Sequence, residues 1–178
     1  EPSMDAMPQL RQALTDRYDI QTVSEVDSAG VPARVDVLFV ARPENELSTQ
    51  AALAIDQYVM RGGRVLFALN RAQTNMRFGR AQPLTTGLEP LLDTYGLPLR
   101  PDLVRDRKAS VIRVQQQRGG FRTVNRIPYP YTPKIANFSD HPISQGLDQV
   151  IFRFVSSLDT TKVDTSTQLS VLARSSGQ

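Results

Sequence analysis

The chain has 178 residues, 40% hydrophobic, with 12 prolines, 10 glycines, one histidine and no cysteine. Its length suits a single domain over residues 1–178 with an aliphatic core, since roughly 100–200 residues per domain is usual. The lack of cysteine excludes disulfides, zinc–thiolate sites and a thiolate nucleophile, and no apolar run approaches the ~18–20 residues of a membrane-spanning helix. The first residues do not form a signal peptide. Net charge is +3, unevenly placed: Arg61 to Arg126 holds 13 basic residues against four acids, and the remainder is acidic. Such asymmetry can mark an anionic partner, and it equally describes a solvated arginine-rich surface.

In chain order, Met7, Leu10, Leu14 and Tyr18 follow helical spacing and predict an amphipathic helix over 7–18. Residues 20–23 alternate as a short strand. Residues 35–41 are nearly continuous in apolar and β-branched residues, as in a parallel strand covered on both faces, and Arg42-Pro43 ends it. Ser48 is a good N-cap. Ala52, Ile55 and Val59 form the expected buried stripe, and Gly62-Gly63 stops the helix. Residues 65–69 form a second apolar strand, so 35–69 is a βαβ unit with a right-handed crossover.

Residues 71–86 read as an irregular basic loop. Leu88, Leu91, Leu92 and Tyr95 share a face of a short helix ended by Gly96. Residues 99–105 are a candidate strand. Segments 111–114 and 121–124 form a β-hairpin about Arg118-Gly119-Gly120. Pro128, Pro130 and Pro133 impose an extended segment around Tyr129 and Tyr131, and strands are expected at 150–155 and 169–172. The fold class expected is α/β: a mainly parallel sheet flanked by helices, with a β-hairpin-containing later part.

Three segments, "VDVLFVARPENELSTQAALAIDQYVMRGGRVLFALN" (35–70), "GLEPLLDTYGLPLRPDLVRDR" (87–107) and "PYPYTPKIANFSDHPISQGLDQVIFRFVSSLDT" (128–160), occur in an order and spacing similar to the GldG family of gliding-motility ABC-transporter auxiliary proteins. The resemblance covers most of the chain. It implies a class-I glutamine amidotransferase-like (flavodoxin-like) fold without that chemistry, and a first core strand upstream of residue 1. It also implies a periplasmic, extracytoplasmic domain of an inner-membrane protein, joined to the membrane by segments outside this piece. ABC permease and ATPase subunits are the implied partners. Asn70 stands where the family commonly has an acid after its second core strand.

The chemistry-bearing residues are few. An amidotransferase needs a thiolate, and a serine hydrolase needs Ser, His and an acid. His141 precedes Pro142 and no G-x-S-x-G elbow exists, so His141 is expected to cap the turn into Ile143–Leu147. Asp102 and Asp106 lack further metal ligands, no phosphate-cradling loop is present, and the aromatics do not form a stacking platform for nucleic acid. The expectation is no cofactor, no metal, no nucleic acid and no enzymatic activity. In open α/β sheets ligands bind beyond the carboxyl ends of strands. That rule selects Arg42, Glu44, Asn70, Arg71, Arg77 and Arg80 as contacts for a partner or for an anionic or sugar-like ligand. The alternative is a degenerate hydrolase or carbohydrate-binding domain, with Glu44 and Asp106 as its carboxylate pair.

Overall fold

The computed structural model describes residues 7–23, 26, 30–43, 45–76, 78–118, 121–163 and 167–176. The chain divides into two compact units, residues 1–71 with 84–99, and residues 72–83 with 100–178.

The first unit contains α1 (Pro8–Thr15), β1 (Val37–Ala41), α2 (Thr49–Met60), β2 (Arg64–Ala68) and α3 (Glu89–Thr94). The expected βαβ unit is present: β1 and β2 pair in parallel, from Val37 opposite Arg64 to Ala41 opposite Ala68. Ser48 caps α2, its hydroxyl accepting from the Ala51 amide at 3.0 Å. Ser48→Ala is therefore expected to lower stability by about 1 kcal/mol, readable as a shift in the urea midpoint. At the other end Gly63 N donates to Tyr58 O and Gly62 N to Val59 O. This is a Schellman turn, which needs the left-handed backbone that Gly62 takes at φ +88°.

The buried stripe of α2 is Ala51, Ala54, Ile55 and Tyr58, one residue away from the expected Ala52–Ile55–Val59 face. Tyr58 can face inward because its hydroxyl donates to Val35 O at 2.9 Å, so its polar end is satisfied on burial. With Val31, Leu38, Leu88 and Leu92 these residues make the apolar core. α1 forms with a proline in its first turn but buries no residue.

The expected mainly parallel, amidotransferase-like sheet is not found. Only β1–β2 is parallel among the described strands; the other sheets are antiparallel. Nor is the parallel pair covered on both faces, since Val37 and Leu66 are 52% and 57% exposed. The reason lies in the connections after β2. A parallel return takes a dozen or more residues, whereas here β3 (Ala72–Asn75) turns directly into β4 (Arg80–Pro83), and β5 (Ala109–Arg118) into β6 (Phe121–Ile135). The expected basic loop over 71–86 is thus largely a hairpin, and residues 20–23 form no strand.

In the second unit β5 and β6 pair from Arg118 opposite Phe121 to Ala109 opposite Pro133, with a register shift between Ala109 and Val111. The proline-spaced tyrosines belong to β6, with the Tyr129 ring 5.6 Å from Tyr131 and 6.0 Å from Phe154. β7 (Asn137–Phe138) pairs with β9 (Ala173–Arg174), and β8 (Val150–Ile151) with the end of β6. The strand expected over 150–155 is cut short, and Phe154 adopts φ +54°, outside the extended region. Residues 99–105 make two long-range amide bonds, Arg100 N to Ser157 O and Val104 N to Val155 O, without forming a continuous strand.

Candidate functional site

In the first unit the carboxyl ends of the parallel pair bring Arg42 and Asn70 near one another in register. The last paired residues are Ala41 and Ala68, and the Arg42 amide donates to Ala68 O at 2.9 Å. Arg42 is exposed and holds φ +42°, a conformation few non-glycine residues adopt. Asn70 is half-buried.

Arg71 is not a ligand-facing cation. Its Nε donates to Leu84 O at 3.1 Å and its Nη1 to Leu99 O at 3.3 Å, and Nε lies 3.1 Å from Glu89 Oε1. Glu89 in turn accepts from the amides of Thr86 at 2.8 Å and Gly87 at 2.9 Å. Burial opposes ionisation of Glu89, but the Thr86 amide and hydroxyl and the Arg71 guanidinium outweigh it and hold its pKa below the usual carboxylate value. The pattern Thr86-x-x-Glu89 is a capping-box signature, so this local bond could have been read from the chain.

Arg80 is an exposed residue of β4, in the second unit. Glu44 and Arg77 lie outside the described residues. A concavity of about 460 Å³ runs along Arg11, Thr15, Tyr18 and Ile20. Because α1 buries none of its residues, this is a surface crease and not a formed ligand site.

The other candidate groups of the second unit are tied into folding contacts. Asp106, 3% exposed, accepts from Ser176 N at 2.7 Å, Ser176 Oγ at 2.6 Å and Lys108 N at 2.8 Å. Asp102 accepts from Ser157 N at 2.8 Å and Ser157 Oγ at 2.6 Å. Arg100 reaches Asp159 at 2.7 Å. His141 does cap its turn: Nδ1 accepts from the Ile143 amide at 3.2 Å, and its carbonyl accepts from Ser144 and Gln145. Asp106 is therefore engaged with backbone and serine, which removes it from the carboxylate pair that the hydrolase alternative requires. Among the described residues no group of three or more His, Asp or Glu could hold a metal ion. No helix among them is long and apolar enough to cross a membrane.

These features define a small α/β unit followed by a β-rich unit whose buried polar side chains serve as internal ties. The chain belongs to the family described as "ABC-type uncharacterized transport system", whose profile matches residues 1–178. It is an auxiliary component of an ABC-type transport system. No curated protein matches it. Among solved structures, the one titled "mmIFT52 N-terminal domain" is similar, with a TM-score of 0.55 and 17% sequence identity over 88% of this chain. The match spans 64% of that chain, and at this identity the likeness is one of fold. It replaces the amidotransferase-like fold expected from the sequence.

Proposed function

We propose that residues 1–178 form a non-enzymatic, extracytoplasmic interaction module of an ABC transport system of the gliding-motility-associated type. The module belongs to an inner-membrane protein whose partners are the permease and ATPase subunits. The observation that carries this reading is the engagement of Arg71, Glu89, Asp102, Asp106 and His141 in bonds that hold the fold. Such groups are held where they are by these bonds, whereas a hydrolytic site needs a nucleophile, a base and an orienting group converging on substrate. Arg42 and Asn70, at the carboxyl ends of β1 and β2, are the residues of this module best placed to hold an anionic or sugar-like ligand.

The full-length protein is expected to co-purify with an ATPase and a permease subunit. Hydrolytic or amidotransferase activity that disappears in His141→Ala would overturn the reading.

A further inference from the structure

The β5–β6 ribbon has an open side. In the sheet order β5–β6–β8, β5 is terminal, so no other described strand pairs with its outer side along Ala109–Arg118. Pro128 sits opposite Val111 and has no N–H, so this pair is a non-hydrogen-bonded one. The alternation of an antiparallel ladder then makes Arg113–Arg126 and Gln115–Val124 pairs of the same kind. Two consequences follow. The backbone N–H and C=O of Val111, Arg113 and Gln115 point outward from the ribbon. The two members of each such pair are also close, with Cα atoms about 4.5 Å apart.

Edges of this sort invite another strand unless they are blocked. The outer edge of β6 is interrupted, because Pro128 and Pro130 supply no donors there. β5 contains no proline. Its outward face also carries an unusual pairing, with two exposed arginines, Arg113 and Arg126, directly opposite each other. Like charges in that position are destabilising. No Asp or Glu occurs in the sequence between Asp106 and Asp140 to offset them, and neither arginine forms an ion pair among the described residues. On the same face Val111 and Val124 are 47% and 52% exposed. The surface therefore alternates cation and apolar side chain beside a row of free backbone donors and acceptors.

We propose that the outer edge of β5 is a strand-addition site for an extended, acidic segment of a partner protein. The incoming backbone pairs with Val111, Arg113 and Gln115. A carboxylate opposite Arg113 pairs with it and offsets its repulsion from Arg126, while an apolar residue two positions along covers Val111. Only a polypeptide supplies backbone groups to the edge as well as negative charge, which favours a protein over a lipid surface or a nucleic acid. The proposal rests on the reading of the domain as an interaction module and names its contact surface.

The test uses the whole protein and a short synthetic peptide in which every second residue is alternately glutamate and valine, with threonine between them, so that both lie on one face of the extended strand; binding is followed by fluorescence anisotropy. Binding is expected, weakening as salt rises. It should fall about tenfold or more in the double variant Arg113→Glu/Arg126→Glu, a loss typical of charge reversal at a contact. Gln115→Pro removes one outward N–H while sparing the ladder to β6, and should also abolish binding. If that variant unfolds, the same peptide N-methylated at alternate residues replaces it, and it too should fail to bind. Equal binding of a lysine–valine peptide, unchanged binding by Gln115→Pro, or binding of phosphatidylglycerol vesicles without the peptide would each overturn the proposal. Capture of the ATPase and permease is scored separately, so persistence of that capture without peptide binding sinks this inference alone.

Discussion

Gly87→Ala is expected to be among the most destabilising single substitutions in the chain. Gly87 holds φ +80°, and a Cβ built there runs into the backbone of Leu47, against its carbonyl oxygen and its amide nitrogen. Side-chain tips can move aside, but backbone in this place cannot. The Leu47 amide already donates to Thr86 O at 2.9 Å, and Thr86 is 1% exposed. The left-handed conformation alone costs an alanine about 1–2 kcal/mol, and overpacking adds roughly 1–3 kcal/mol. A total near 3 kcal/mol corresponds to a fall in Tm of roughly 6–12 °C for a chain of this size.

Gly146→Ala separates the two contributions. Gly146 has φ +81° with nothing within 4 Å of an added Cβ, so only the conformational cost applies. Thermal melts of the two variants should therefore differ by the steric part. Equal shifts would show that the approach of Leu47 to residue 87 carries no stability.

The βαβ unit was legible because its signals are local. A capping serine, apolar runs at 35–41 and 65–69 and a glycine stop lie within one stretch of chain and require no knowledge of distant partners. The extension to a mainly parallel sheet went wrong where locality ends. Whether a strand after β2 pairs in parallel depends on the path taken by residues 72–135, and there short hairpin connections impose antiparallel pairing. The stripe of α2 was misplaced by one position for a related reason. The partner that admits Tyr58 to the core, Val35 O, lies 23 residues away.

The candidate site was legible only in outline. Arg42 and Asn70 do lie at the carboxyl ends of the parallel pair, as strand order alone required. Arg71 looked equally available because it follows a strand, yet its guanidinium closes onto Leu84, Leu99 and Glu89. Nothing in the local sequence marks Asp102 or Asp106 as structural. Their serine partners stand 55 and 70 residues further on, beyond the reach of any spacing rule. Those two ties also show a difference between the units. The largest apolar cluster, with Leu38, Ile55, Tyr58, Leu88 and Leu92, lies in the first. In the second, the buried residues include Asp106, Thr132, Ser144 and Ser156, so hydrogen bonds between distant segments bear more of the stability.

Asp106 is the residue on which that dependence should show. Asp106→Ala leaves the amides of Ser176 and Lys108 and the Ser176 hydroxyl without their acceptor. Hydrogen bonds to a charged group contribute about 1.5–3 kcal/mol each, and not additively, so a loss of about 2–4 kcal/mol is expected at pH 7. The effect also has a defined pH dependence. Burial opposes ionisation of Asp106, but Ser176 and then Lys108 favour it more strongly, and the folded pKa lies below the ordinary value. A group depressed in this way contributes fully above its unfolded pKa, near 3.9, and the contribution fades as pH falls through the folded value. Glu89 is shifted in the same direction. The parent protein should therefore lose stability steeply below about pH 4, while Asp106→Ala starts lower at pH 7 and loses less on acidification. Urea midpoints of both proteins at pH 7 and at pH 3.5 decide the matter. Parallel acid losses, or a neutral-pH midpoint equal to that of the parent, would mean that the tie between residues 106 and 176 does not hold the second unit together.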